Sequence, residues 1–275
     1  MLSTIKNLPL SGKIGAAIVS FWIFIAVFGP LLSPHSAKEI VAWGVFEPIG
    51  GEYLLGTDYI GRDVLSRLMD GARFTVFIPL FAAALACSAG TLIALYASVS
   101  HQRVDELISR FMDALISIPS KIFALVMIAA FGSSIPILLA ITAVSYMPGA
   151  FRIARALAVN VANMDFVTVA RTRGEGKLYL AVKEILPNIL HPMLADFGLR
   201  FVFVVLLLSS LSFLGLGVQP PQADLGSLVR ENISGLAEWA PAVIIPALAI
   251  ATITIAVNLL IDSFRGSATY SAGDK

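Results

Sequence analysis

Six long apolar runs alternate with polar segments along the chain, at 14–32, 74–98, 107–131, 135–157, 189–217 and 241–261. The shortest has nineteen residues, close to the roughly 20 that a helix needs to cross a bilayer. The pattern predicts an all-α, polytopic membrane protein with six spans. The first run competes with a signal peptide, whose apolar core is about 7–15 residues long and precedes a small-residue cleavage site. This run is longer and ends in Gly29-Pro30 and Ser33-Pro34, so it is read as an uncleaved helix. In the third run Arg110, Asp113, Pro119 and Lys121 interrupt the apolar sequence, which places its opening turns in the headgroup zone. Pro119 and Pro148 predict kinks of a kind that bundles tolerate.

Two polar segments carry pattern of their own. Leu55 to Arg73 reads as an amphipathic helix capped by Thr57 or Asp58, with Val64, Leu65, Leu68, Met69 and Ala72 on one face. Asp63 and Arg67 stand four apart on it, acid first. From Gly56 the segment matches G-x-x-x-x-G, yet Arg62-Asp63 stands where a phosphate loop has Lys-Ser/Thr, and no strand precedes it. An ATP site is not expected there. The second segment is 165–188, DFVTVARTRGEGKLYLAVKEILPN, with seven charged residues among twenty-four. It reads as a short helix, a break at Gly174 and Gly176, and a second helix stopped by Pro187. A compact two-helix loop between spans suggests a docking element.

Composition sharpens this picture. Of 275 residues 57% are hydrophobic and 13% charged, against about 25% charged in soluble domains, and the mean hydropathy is +0.86. A net charge of +1 gives no basic field for nucleic acid. With the N-terminus inside, the inner segments hold twelve basic residues (Lys6, Lys13, Arg103, Arg110, Arg152, Arg155, Arg171, Arg173, Lys177, Lys183, Arg265, Lys275). The outer ones hold five (Lys38, Arg62, Arg67, Arg73, Arg230). By the positive-inside rule both termini and segment 165–188 are cytoplasmic. No internal repeat or low-complexity tract is visible.

Candidate chemistry is sparse. His35, His101 and His191 fall in different segments and cannot form a metal cluster by spacing. Cys87 is the single cysteine and sits in an apolar run, where it reads as helix packing. Ala86-Cys-Ser-Ala-Gly90 resembles a hydrolase turn only loosely and has no base nearby; its small residues suit close helix approach. No cofactor, metal or catalytic site is expected. Asp196 and Arg200 share a helix face near the start of the fifth span. They read either as part of a substrate path or inner gate, or as an interfacial ion pair with Arg200 snorkelling. Lys121 has the same two readings. Asn232-Ile-Ser234 matches a glycosylation sequon that is common by chance, and Trp239 suits an interfacial belt.

The 165–188 loop resembles the coupling motif of binding-protein-dependent ABC importer permeases, through Ala170, Gly174, Leu186 and Pro187, with Asp165, Thr168, Arg171 and Asn188 around them. Leu55-Gly-Thr-Asp58, Gly61-Arg-Asp-Val-Leu-Ser-Arg67 and Gly71-Ala-Arg73 are similar to the first outer segment of the dipeptide, oligopeptide and nickel group. Val104-Asp105, Pro148-Gly149, Leu211 to Pro221, Gly226, and Asn258-Leu-Leu with Asp262 and Arg265 extend the likeness, which fits the second of two paired permeases. The resemblance implies a single permease domain over 14–265, between a cytoplasmic segment 1–13 and a tail 266–275, in a bacterial inner membrane. It also implies a homologous permease as heterodimer partner, two ATP-binding-cassette ATPases and an external solute-binding protein, with ATP bound by the ATPases. The chain departs from the motif at Thr168-Val169-Ala170, where Glu-Ala-Ala is usual, at Arg173, Glu175 and Glu184, and in the fifth span at Arg200 and Leu208. The competing readings, a self-sufficient secondary transporter or channel and a membrane enzyme, would need repeats with broken helices, or a nucleophile and base on facing helices.

Overall fold

The computed structural model describes the backbone of residues 9–50 and 52–272 and the side chains of 9–50 and 52–263. Outside that range lie residues 1–8 of the expected segment 1–13, the Arg265 side chain, and, of the expected tail 266–275, residues 273–275 and the side chains of 266–272. Among the described residues the chain is all-α, with isolated β-bridges and no longer strand. Five helices are long and apolar enough to cross a membrane, and a sharply bent pair makes a sixth candidate.

Helix α1 (Leu10–Leu32) lies against the last helix, α9 (Pro241–Ala272). Gly15 lets the two backbones approach: a Cβ there would stand 2.7 Å from the Ala256 carbonyl oxygen. Trp22 Nε1 donates to Thr252 Oγ1 at 3.1 Å, which satisfies a polar group that lipid could not. The far side of α1 exposes Phe21, Phe24 and Phe28, a surface suited to hydrocarbon.

Helix α2 (Val64–Ser98) is the centre of the bundle, packed on α1, α5, α7 and α8. Its 35 residues span roughly 50 Å at 1.5 Å per residue, well beyond a bilayer core. Buried Ala82, Ala83, Ala86 and Gly90 let α5 (Ile135–Ala162) close in; a Cβ at Gly90 would meet Met147 O at 2.8 Å. The expected amphipathic helix and the second span are thus one helix, and its start differs from the sequence reading. Neither Thr57 nor Asp58 caps it. Asp63 does, accepting from Ser66 N at 2.9 Å. Asp58 is instead turned on its own backbone, with Oδ1 accepting from Ile60 N at 3.0 Å and Arg62 N at 2.9 Å. Gly61, at φ +83°, completes a turn that a helix cannot contain.

The third apolar run forms two helices, α3 (Gln102–Ser117) and α4 (Ser120–Phe131), bent by 86° at Pro119. A right angle is far more than a proline kink, so α3 turns away from the direction of α4. Helix α5 carries Pro148 and leads through two residues into the short α6 (Asp165–Thr172). Helix α7 (Lys177–Phe213) begins after four further residues and is itself unbroken. Pro187 does not stop it. A π-helical turn at Leu180–Ile185 precedes the proline, and Leu186 N–H reaches Ala181 O, five residues back. This looser turn takes up a residue with no N–H whose ring would clash in a regular helix. Helix α8 (Leu225–Glu231) and a 3₁₀ turn at Ile233–Glu238 then follow, α8 packing on the N-terminal part of α2, before α9.

Candidate functional site

The loop between α5 and α7 is a folded unit. Helix α6 has Asp165 in its first turn and Arg171 in its last, each sign where the helix dipole favours it. It ends in a Schellman closure: Gly174 N donates to Arg171 O at 3.1 Å and Glu175 N to Ala170 O at 3.3 Å. The residue at the turn must take the left-handed conformation, and Gly174 does so at φ +85°. One side of the loop is sealed to the bundle. Val167, Ala170, Leu180, Ala181, Ile185 and Ile189 share a core with Ala94 and Leu95 of α2 and with Ala154 and Ala158 of α5. The other side is open. Asp165, Thr168, Arg171 and Gly174 are exposed, and so are the apolar Phe166, Val169, Leu178 and Tyr179. Leu186 is half-buried and Pro187 exposed. The exposed apolar residues are the ones that the charge pattern of the segment hid; their spacing on a helix whose inward face is Val167 and Ala170 is the signal that could have marked them.

Two ion pairs fasten α5 to α3 just above this loop. Arg155 makes a two-pronged contact with Asp105, and Arg152 Nη2 donates to Asp113 Oδ1 at 2.9 Å. A shallow cleft between the helices is lined by Asp113, Arg152 and Arg155 with Ser109 and Phe151.

Deeper in, Asp196 and Arg200 form the pair that the spacing suggested. Arg200 Nε donates to Asp196 Oδ2 at 2.6 Å and Nη2 to Oδ1 at 3.1 Å, while Nη1 reaches the Tyr146 carbonyl oxygen at 3.1 Å. Arg200 does not snorkel. It is 7% exposed, and its guanidinium lies across Gly149, where a Cβ would come within 2.7 Å of Nη1. Cys87 of α2 faces the same carboxylate at 3.9 Å. The pair thus sits where α2, α5 and α7 meet, inside the packed interior of this chain. Lys121 stands apart, exposed in the first turn of α4.

On the opposite side of the membrane region, residues far apart in sequence form a charged cap. Asp58 Oδ2 accepts from Arg62 Nε at 2.6 Å and from Arg67 Nη1 at 2.9 Å. Glu231 Oε2 takes both arginines at 2.8 Å. Partial burial works to lower the Arg62 pKa, but Asp58 and Glu231 outweigh it and leave it raised. Asp224 caps α8 through Ser227 and also accepts from Ser212 Oγ at 2.5 Å. Burial pushes the Asp224 carboxyl above the usual carboxylate range, although its hydrogen bonds pull the other way. Arg67 therefore pairs with Asp58 and Glu231, not with Asp63, whose carboxylate is engaged by Ser66.

Residues 52–267 match the sequence profile of a family described as binding-protein-dependent transport system inner membrane component. The chain is similar to the di/tripeptide transport system permease protein of Pseudomonas aeruginosa, 33% identical over 249 residues covering 88% of this chain and 82% of that one. It is similar also to the dipeptide transport system permease proteins of Haemophilus influenzae, at 32% over 260 residues (92% and 88%), and of Escherichia coli K12, at 34% over 261 residues (92% and 86%). A crystal structure of an amino acid ABC transporter is similar at 19% identity and a TM-score of 0.49, over 74% of this chain and 93% of that chain.

Proposed function

The chain belongs to the family of binding-protein-dependent transport system inner membrane components, and on that footing we propose that it carries short peptides across the bacterial inner membrane. It is a membrane-spanning permease subunit of an ABC importer. The alternative of a self-sufficient transporter or channel gives way to this membership. The family works with ATPases and a binding protein; here the set is one homologous permease as heterodimer partner, two ATPases that bind and hydrolyse ATP, and an external binding protein that selects the solute. Peptides are favoured because the relatives above are named for di- and tripeptide or dipeptide transport. Both termini and the α6 loop lie in the cytoplasm, where twelve basic residues against five would place them.

The observation that carries the coupling role is the division of α6 into two faces. Val167 and Ala170 are sealed into the bundle, while Phe166, Val169 and the charged ends stand free. A helix cemented on one side and open on the other moves with its bundle and presents a surface to a partner, which suits a lever between ATPase closure and alternating access. Asp165, Thr168, Ala170, Arg171, Gly174, Leu186 and Pro187 form this lever. Thr168, in place of the usual carboxylate, gives the ATPase contact a neutral hydroxyl. Asp196 and Arg200 brace the inner gate by holding α7 to α5.

The test replaces Gly174 by valine, a β-branched residue at φ +85°, where L side chains cost on the order of 1–2 kcal/mol. In proteoliposomes holding the assembled importer, Gly174→Val is expected to leave assembly intact, cut uptake of labelled dipeptide by about tenfold, and uncouple ATP hydrolysis from the binding protein. Normal uptake and normal stimulation would rule out the lever. Unchanged ATPase stimulation across a panel of dipeptides and tripeptides with the loaded binding protein would rule out the substrate class.

A further inference from the structure

We propose that α3 is an in-plane helix embedded in the cytoplasmic leaflet, with its exposed apolar stripe among the acyl chains and its arginines on lipid phosphates. The inference rests on the membrane-spanning reading of the chain but not on its substrate.

Helix α3 has three faces. One packs on the bundle, with Met112 buried and Ile108 and Leu115 half-buried against the core that holds Val161 and Phe151 of α5. A second is polar, with Arg103, Glu106 and Arg110 exposed. The third is apolar and bare: Val104, Leu107 and Phe111 are 36%, 71% and 59% exposed. A helix that shows a bare apolar stripe next to a cationic one is the form that interfacial helices take.

Three observations say what covers the stripe. First, α3 runs at 86° to α4, so if α4 follows the spans, α3 lies in the membrane plane. The ion pairs agree. Arg152 and Arg155 are separated by about 4.5 Å along α5, and their partners Asp113 and Asp105 by roughly 12 Å along α3, a spacing that a steep crossing accommodates. Second, the arginines mark the depth. Arg152 and Arg155 meet α3 at its level, and basic groups gather at the cytoplasmic boundary. Arg103 and Arg110 form no ion pair among the described residues; anionic headgroups offer them counter-charges. Third, the helix that follows the stripe, α4, also exposes apolar residues. Ile118, at 42%, precedes Ile122 and Val126, at 55% and 61%, and α4 is a candidate span.

The consequence is mechanical. Anchored in the leaflet and pinned to α5 by two ion pairs, α3 holds fixed the part of α5 that leads into α6, so the loop pivots against the bilayer itself.

The complete importer, with Cys87→Ala and the partner subunits' cysteines removed, is labelled with a nitroxide at Leu107→Cys, Phe111→Cys or Glu106→Cys, with Val126→Cys as a lipid-facing reference. In vesicles of phosphatidylethanolamine and phosphatidylglycerol, collision with oxygen and with a water-soluble nickel chelate is measured by electron paramagnetic resonance. Labels at 107 and 111 should favour oxygen and report a depth of about 5–10 Å, and the label at 106 should favour nickel. Protection of 107 and 111 from both reagents would mean that a protein partner covers the stripe and would overturn the proposal. Preference for nickel at all three α3 positions would overturn it as well. No transport is needed for the readout, so the result stands apart from the peptide assignment.

Discussion

Asp196 and Arg200 show how this chain keeps charge in an apolar interior. Arg200 has two bonds to its carboxylate and one to a backbone carbonyl, so neither charge is left without a partner. Pairs of this kind add little net stability, but removal of one partner leaves a buried charge and costs about 3–5 kcal/mol. Asp196→Ala should therefore destabilise the purified subunit by that amount, while Asp196→Leu with Arg200→Met should recover most of it. A detergent unfolding series on the two singles and the double checks this; equal losses in all three would mean that the pair does not act as a unit. The spacing of four made this contact legible. The same spacing misled at Asp63 and Arg67, because a carboxylate one residue ahead of a helix serves the free N–H groups of its first turn before it serves a side chain. Arg67 instead finds Glu231, 164 residues away, and no local pattern can point that far.

At the scale of elements, the apolar runs located most of the long helices but not their ends. Ends are set by hydrogen bonds that composition does not carry. Gly174 was readable because glycine after a basic last turn signals a closure. The π-helical turn before Pro187 was not, since the rule that proline ends a helix assumes a regular one. The bend at Pro119 was readable in place and not in size, because the size depends on where α3 finds its partners on α5. Asp224 was missed altogether, though Asp followed three residues later by Ser is a capping pattern. Its carboxyl is raised by burial, so the folded state favours the proton. That contribution is complete below the ordinary carboxylate range and is lost as pH rises through the raised value. Asp224→Asn keeps an acceptor for Ser227 and removes the ionisation. The melting temperature of the variant should fall less than wild type between about pH 4 and neutrality, and parallel curves would assign the charge state elsewhere.

In the proposed assembly the whole molecule is half of a pathway. Its cores join α2 to α1, α5, α7 and α9, whereas broad apolar faces on α1, α4 and α7 stay exposed, to be covered by lipid or by a second permease. Reconstituted alone, the chain is expected to move no peptide and to release no phosphate from ATP; uptake by the single subunit in tracer-loaded vesicles would contradict that. The class was legible from sequence, since hydrophobic length is a property of the chain itself. That the family works with ATPases and a binding protein was legible only through resemblance, because the partners' surfaces are not written in this chain.

The cap of Asp58, Arg62, Arg67 and Glu231 also sets an order in time. In the proposed orientation Asp58, Arg62 and Arg67 cross the membrane early in synthesis, and of the cap's two carboxylates the arginines then have only Asp58. Glu231 is made 164 residues after Arg67, which at about 5–20 residues per second is a wait of roughly 8–30 s. Until then the outer segment has no fourth charge to close on and Tyr59 N has no Asn232 to meet. A chain that stalls after α7 would carry an outer loop whose Arg62 and Arg67 lack Glu231, and the arrival of α8 is the event by which a finished subunit differs from an abandoned one.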